Sequence, residues 1–525
     1  MFFAFWDSAK LSTGCDQENK HVKDTNHLRH KIGFSAGPAL AILVYLVVPR
    51  EFEGPEGVAA FTSAGRVTLS VMVWMAVWWL SEAVELSTTA LLPVTVLPIF
   101  GAVSIVDAAA PYAHRLIFLY IGGFTIALSM QRWGLDKRIA LATLRKVGTK
   151  PANMIGGFMI ATAFLSAFIS NTATTAMMLP IALSVVALLK DKVGEGGSDF
   201  GIALMLGIAY AASMGGLSTL VGTPPNAFLA SFLEESIAEE YRTKMSFAKW
   251  MLFGVPVTCC MLPLAWFVLA KWLYRTPVTE IEGGRELIEK EYRALGTMGW
   301  GERVTLIVFA CTGFAWIGIP LLRRYFGDWA FVESLSGVSD PGVAMVAAVL
   351  LFAIPSRTSE GGGVMNWPTA MKMPWDILIL FGGGMSLAAA VKKTGVAEFI
   401  GAQAGYLTGA PMLVLILLVV TAVILLTELT SNLATTATLL PVFAALAPGL
   451  GVHPYLLIFT ATMAASCAFM MPVATPPNAI VFGSRLLTIP QMVKAGIWMN
   501  LAGIIVITTL AWFLLEPVTG VSFGK

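Results

Sequence analysis

Apolar runs of about membrane-spanning length follow one another along this chain, separated by short polar interruptions. Crossing the ~30 Å hydrocarbon core takes about 20 predominantly apolar residues in a helix. The pattern predicts spans near 33–49, 66–81, 86–102, 115–131, 200–234, 248–270, 303–321, 341–355, 375–391, 453–484 and 492–515. Two further runs, 152–189 and 411–448, are too long for one crossing. A single helix of 38 residues would reach about 57 Å at the helical rise per residue. Each long run therefore turns back on itself, either as a hairpin or as two crossings.

Both long runs carry the same polar insertion. Residues 168–181 read FISNTATTAMMLPI and residues 429–442 read LTSNLATTATLLPV. The likeness extends beyond them. LIFLYIGGFTIALSMQRWGL (116–135) aligns with ILILFGGGMSLAAAVKKTGV (377–396) at an offset of 261, the offset that also relates the two insertions. VGTPPNAF (221–228) aligns with VATPPNAI (473–480) at 252, the shift falling around the polar loop Asp191 to Ser198. The chain is an internal repeat.

The halves are expected to sit in opposite senses. Five crossings separate Arg132 from its equivalent Lys393, and a hairpin adds none or two, so equivalent points lie on opposite faces. The charges agree: 132–150 carries six Lys/Arg, the window 393–411 only Lys393. Lys and Arg mark cytoplasmic loops, so the first window is expected inside and the second outside. The tail from Lys10 to Lys31 has five Lys/Arg against three acids and is placed in the cytoplasm. The opening MFFAFW has no basic residues ahead of it, as a signal peptide would need. The reading is an all-α polytopic membrane protein with about eleven transmembrane helices plus the two hairpin regions in an inverted-topology repeat. Inverted repeats are a common architecture of secondary transporters. The expected layout is an N-terminal tail (1–32), a first span and external loop (33–65), repeat 1 (66–270), a cytoplasmic connector (271–302) and repeat 2 (303–525). Repeat 1 holds the hairpin 152–189 and a broken helix 200–234; repeat 2 holds 411–448 and 453–484. The C-terminus is expected on the external, periplasmic face of the inner membrane.

Composition sharpens this. Hydrophobic residues make up 57% of the chain and charged residues 13%, with a mean hydropathy of +0.76; soluble proteins carry roughly 25% charged residues. The net charge of +2 says nothing about nucleic acid, and with no basic, aromatic-interleaved patch no nucleic-acid partner is expected. Five cysteines show no CxxC spacing and read as small buried hydrophobes. His114 and His453 are isolated near span ends, so no nucleophile–base pair marks an enzyme, and no cofactor is expected. Gly122-Gly123 and Gly382-Gly383-Gly384 lack the Lys-Ser/Thr ending of a phosphate loop and read as close helix packing.

The polar clusters carry the chemistry. Alone, Ser, Thr and Asn serve as glue between membrane helices, and a proline pair serves as a kink. Recurrence of both clusters in both halves, in one order, favours a site. Pro224-Pro225 and Pro476-Pro477 interrupt their helices and free backbone carbonyls, tolerated at membrane depth only where they line a cavity or find a partner. Those carbonyls with Ser, Thr and Asn oxygens are hard neutral ligands suited to Na⁺. The helix N-termini beyond the breaks suit carboxylate, and Asn can serve both. No Lys or Arg lies near the motifs, so an anion there would rely on neutral donors and on neighbouring cations. Among nearby acids, Glu428 adjoins the second insertion and is expected to support its geometry, whereas Glu82 and Glu85 fall where the second span ends.

These motifs make the chain resemble the divalent anion/sodium symporter (DASS) family, carriers of dicarboxylates, citrate and sulfate. The resemblance runs from about Phe34 to the end, and ASCAFMMPVATPPNAIV (465–481) fits the family signature through Ser466, Phe469, Pro472 and Asn478. It implies that both long runs are re-entrant hairpins whose Ser-Asn tips meet near the midplane, with one sodium site per half. By motif, the first site would use Ser166, Ser170, Asn171 and the carbonyl of Gly222. The second would use Thr427, Thr430, Asn432 and the carbonyl of Ala474. The repeat offset itself pairs Ser166 with Thr427 and Asn171 with Asn432. Substrate would touch Ser170, Asn171, Thr172, Ser431, Asn432, Thr475 and Pro476. Position 433 is Leu where many carboxylate carriers have Thr or Val, leaving Thr172 without a polar counterpart. The resemblance further implies alternating access in a homodimer. The expected function is sodium-coupled symport of a C4-dicarboxylate such as succinate, malate or fumarate. The alternatives are a sodium-independent dicarboxylate exchanger and a sodium-coupled citrate or sulfate carrier.

Overall fold

The computed structural model describes residues 15–523 except 55–56, 194–196, 276–279, 282, 327–328, 359–360 and 405–410. Residues 1–14 of the expected tail, and parts of the polar loop after the first hairpin and of the connector, lie outside the described residues. Among the described residues the regular structure is helical apart from a small antiparallel β-hairpin, Glu51–Gly54 paired with Gly57–Ala60, and an isolated bridge between Pro355 and Gly363. The first helix, Cys15–Val47, starts well before the expected span at 33. Residues 15–32 hold no Gly or Pro to stop it, and their Lys, Glu and Gln are good helix formers, so a polar helical lead continues into the apolar part.

Ten helices among the described residues are long and apolar enough to cross a membrane. Two of them, Asn171–Leu188 and Asn432–Gly449, are the second arms of the long runs. Three expected spans are absent from that set because proline or a polar break shortens them. The run 86–102 divides into Leu86–Thr89 and Leu92–Ile99, the second containing Pro93 and Pro98. Asp340–Ala353 has 14 residues, and 453–484 divides into Pro454–Ala465 and Pro476–Phe482.

The element order repeats. The first unit runs from helix Arg115–Trp133 to a short arm, Leu135–Leu144, then the hairpin Pro151–Ser166 and Asn171–Val193, then a broken helix, Gly197–Leu217 and Pro224–Ser231. The second runs from Trp375–Lys393 to the arm Val396–Ala404, the hairpin Met412–Thr427 and Asn432–Gly449, and the broken helix already described. In each unit the first piece of the broken helix packs against both arms of its own hairpin. The second pieces cross over: Pro224–Ser231 packs on Asn432–Gly449, and Pro476–Phe482 on Asn171–Val193. This exchange draws the two tips and the two breaks to one place.

Packing explains the glycine runs. A Cβ on Gly122 would lie 2.5 Å from the backbone of Ala344, and one on Gly383 would lie 2.0 Å from the Ala90 carbonyl oxygen. Each glycine lets a helix backbone approach its neighbour, as expected for membrane helices. The outer surface carries bare apolar side chains such as Ile99, Phe314 and Phe513, which suits a lipid environment.

Both arms are clamped, by unlike chemistry. Arg138 on the first arm is buried and pairs with buried Glu302, while its Nη1 donates to the Gly296 carbonyl at 3.1 Å. Lys137–Glu291 at 3.1 Å and Arg145–Glu289 at 2.8 Å add surface ties to the connector helix Gly284–Ala294. The second arm is held by aromatic rings: Phe399 stacks on Phe61 at 4.5 Å and meets Phe52 edge-on at 5.4 Å, fastening it to the β-hairpin.

Candidate functional site

Each hairpin turns in four residues, and each turn ends in a helix N-terminus at its asparagine. Backbone geometry places the Ser-Asn pair at the tip. Ser170 Oγ accepts from Ala173 N at 3.3 Å in the manner of a helix cap, and Ser431 occupies the equivalent N-cap with extended ψ of 134°. One turn in, Thr175 and Thr436 each donate to the carbonyl of the tip asparagine at 2.8 Å. The two turns are thus locally alike, as their sequences are.

The tips and breaks line one cavity of about 920 Å³. Ser170, Asn171, Thr172, Ser431, Asn432, Gly222, Ala474, Thr475 and Pro476 all reach it. No Lys or Arg belongs to its lining. Ser166 and Thr427 do not line it; they lie behind the tips, fully buried. Ser166 Oγ donates to Asn171 Oδ1 at 2.6 Å. Thr427 Oγ1 lies 2.9 Å from Asn432 Oδ1 and 2.7 Å from the Ala465 carbonyl oxygen. A hydroxyl has one proton, so that group faces two acceptors with a single donor. Near the first tip, a Cβ on Gly216 would meet Asn171 Oδ1 at 2.7 Å and the Gly222 carbonyl oxygen at 3.2 Å. Each corner gathers hydroxyl and amide or carbonyl oxygens, the donor types that hard cations take.

Thr430, expected in the second sodium site, lies like Thr427 behind the tip. Its hydroxyl is held behind the tip, 3.0 Å from the Leu426 carbonyl oxygen and 2.7 Å from Thr435 Oγ1, and it does not line the cavity. Its equivalent in the first half is the buried Ile169, so this hydroxyl has no counterpart across the repeat.

The breaks are braced from outside. Glu428 is buried and accepts from Phe469 N at 2.7 Å, Met470 N at 3.0 Å, Met471 N at 3.0 Å and Asn500 Nδ2 at 2.8 Å. It satisfies the amides that the second helix loses on unwinding, a cost otherwise severe at membrane depth. The first half has Ala167 at that position and uses other groups: Tyr120 donates to the Leu220 carbonyl, and Thr219 donates to the Ala167 carbonyl.

Several lining residues carry no motif. Exposed Glu82, Glu85 and Asp376, with Ser87 and Phe124, belong to the cavity. Glu82 follows the end of helix Ser63–Ser81 in a left-handed conformation, φ 53°, and Asp376 opens helix Trp375–Lys393. Only the fold brings these ends to the tips; neither spacing nor repeat signals it. Leu433 is buried yet also borders the cavity, across from Thr172.

Known proteins resemble this chain in sequence and in fold. The profile of the family described as the sodium:sulfate symporter transmembrane region matches residues 39–518. The sodium-dependent dicarboxylate transporter SdcS of Staphylococcus saprophyticus is 38% identical over 509 residues, covering 96% of this chain and 95% of the relative. SdcS of Staphylococcus aureus is 35% identical over 500 residues, covering 94% and 93%. Among solved structures, the Neisseria gonorrhoeae efflux pump MtrF shares the fold at a TM-score of 0.58 and 13% identity, covering 93% of this chain and 96% of that one. The Alcanivorax borkumensis YdaH transporter aligns at 0.50 and 15%, covering 85% and 97%. The chain is a multi-pass membrane transporter and belongs to the sodium:sulfate symporter family.

Proposed function

We propose that the protein carries C4-dicarboxylates such as succinate, malate or fumarate into the cell by sodium-coupled symport. The observation that carries this reading is the single cavity into which both Ser-Asn tips and both Thr-Pro-Pro breaks open without a basic residue. Two carboxylates brought there meet neutral donors: the hydroxyls of Ser170, Thr172, Ser431 and Thr475 and the amides of Asn171 and Asn432. Neutral donors alone hold a dianion weakly away from water. Sodium supplies the missing charge at the two oxygen-rich corners, the first built from Ser166, Ser170, Asn171 and Gly222, the second from Thr427, Asn432 and Ala474. Thr430, whose hydroxyl lies behind the tip as that of Thr427 does, completes the second set. The SdcS relatives are described as sodium-dependent dicarboxylate transporters, which supports the same substrate class.

The orientation follows from charge. With 132–150 in the cytoplasm, the N-terminus lies inside, the C-terminus outside, and Glu82, Glu85 and Asp376 at the inner face. The cavity then opens to the cytoplasm in this conformation. Movement of the hairpins and broken helices as a unit against the clamped arms would carry the site across, in a homodimer as the family resemblance implies.

A sodium-independent exchanger would use the same tips as anion donors only. The paired oxygen corners, which offer acceptors rather than donors, favour symport. The test is calorimetric titration of the purified protein with succinate in Na⁺ and in K⁺. Binding that needs Na⁺ is expected; equal binding in both cations would favour the exchanger. Binding of sulfate or citrate alone would move the substrate to another branch of the family.

A further inference from the structure

Asn226 and Asn478 occupy the fourth position of the two TPPN motifs, and both are fully buried. Neither lines the cavity. Their hydrogen bonds are the same, residue for residue, at the repeat offset of 252. Asn226 Nδ2 donates to the carbonyls of Gly216 at 3.0 Å and Thr219 at 2.8 Å. Asn478 Nδ2 donates to the carbonyls of Ala468 at 3.2 Å and Met471 at 3.0 Å. The carbonyls of Thr219, Ala468 and Met471 belong to the unwound turns between the two pieces of each broken helix, and that of Gly216 to the last helical turn before the first break. In both residues Oδ1 is buried with no hydrogen-bond partner.

The orphan oxygens decide how to read the pair. A buried acceptor without a donor forfeits its hydration, and native proteins rarely leave one unexplained. Here the same loss is accepted twice, at equivalent places, with the amide held by its NH₂ side alone. Turning either amide over would set oxygen against two carbonyl oxygens, so the orientation is dictated by the turn. What the turn gains is shape. Gly216, whose carbonyl Asn226 grips, is the residue wedged beside Asn171 Oδ1 and the Gly222 carbonyl oxygen. In the second half, the gripped turn 468–471 leads directly to Ala474 and Thr475 at the cavity wall.

We propose that Asn226 and Asn478 are positioning residues for the two cation corners, each closing its unwound turn so that the carbonyl of Gly222 or Ala474 faces the tip asparagine. This rests on the reading of those corners as sodium sites. Each asparagine acts on its own corner. Neither touches the anion, so loss of either changes sodium affinity before substrate affinity.

The test is the sodium-induced rise in melting temperature of the purified full-length protein, titrated without substrate. Asn226→Ala and Asn478→Ala are each expected to raise the half-saturating Na⁺ concentration of one site about tenfold, equivalent to ~1.4 kcal/mol. The KM for succinate at saturating Na⁺ should change much less. Combining Asn226→Ala with Asn171→Ala should add little, because both disable one corner, whereas combining it with Asn432→Ala should add nearly in full. A lower melting temperature in Na⁺ and K⁺ alike, with an unmoved sodium titration, would show a merely structural role and overturn the proposal. If Asn171→Ala and Asn432→Ala also leave the titration unmoved, the corners are not sodium sites and the reading beneath fails too. Asn226→Ser and Asn478→Ser retain one donor and carry the same comparison, with smaller shifts, where the alanine variants do not fold.

Discussion

At the scale of single residues, the two halves of the site are alike in their asparagines and unlike in what surrounds them. Asn171 and Asn432 each face a hydroxyl five positions upstream, at 2.6 and 2.9 Å. A charge-assisted contact is worth ~1.5–3 kcal/mol, so Asn171→Ala is expected to raise the half-saturating Na⁺ for transport by at least about tenfold; unchanged sodium dependence would remove it from the cation corner. The pairing of these residues was legible in the sequence because the repeat offset carries it without any structure. Thr430 was not, since nothing in LTSN says that its hydroxyl turns back to Leu426 and Thr435. Leu433 against Thr172 leaves the cavity one hydroxyl short of symmetry. Leu433→Thr should shift the ratio of KM values for succinate and citrate by about fivefold, one net hydrogen bond of ~1 kcal/mol; an identical ratio would mean position 433 does not meet the substrate. Glu428 holds four donors and no cation. Replacing it with Gln turns an acceptor into a donor against those amides, so Glu428→Gln should cost about 1–3 kcal/mol, read as a lower melting temperature.

Among elements, what matters is which parts hold still. The arm Leu135–Leu144 is locked by the buried Arg138–Glu302 pair, and the arm Val396–Ala404 by the Phe52, Phe61 and Phe399 rings. Removing one partner of a buried ion pair strands the other charge and costs ~3–5 kcal/mol. Arg138→Met should therefore lower the melting temperature strongly, and Arg138→Met with Glu302→Leu should recover much of it; no recovery would mean that the pair is not the source of the loss. Element type was readable from hydrophobic length, because a run of 38 apolar or neutral residues cannot be one span. The boundaries of the breaks were readable from Pro-Pro. Arms were not: LDKRIALATL and VAEFIGAQA are short stretches whose clamping side chains, Glu302 for the first and Phe52 for the second, lie 150 or more positions away in the chain, beyond any local pattern. The acidic lining, Glu82, Glu85 and Asp376, was hidden for the same reason. Helix ends look interfacial in a sequence until the fold shows what they border.

For the whole molecule, the crossing of each broken helix onto the other half's hairpin makes one site from two repeats. The five crossings expected from the sequence between equivalent points predict that those repeats lie in opposite senses. Single cysteines replacing exposed Lys146 and Glu398 in a cysteine-free background should then react with an impermeant maleimide from opposite faces, position 398 from outside only. Equal labelling would break the inverted arrangement. A cavity lined by three carboxylates and no basic residue, flanked by two oxygen corners, can carry a dianion across a low-dielectric path only when its charge is compensated, or return empty. Coupling to sodium is thus the consequence on which the account stands. It is tested most directly by uptake of radiolabelled succinate into proteoliposomes, with an inward Na⁺ gradient and no internal anion. The account predicts uptake that disappears when K⁺ replaces Na⁺. Uptake that appears only after preloading with dicarboxylate, whatever the cation, would contradict it.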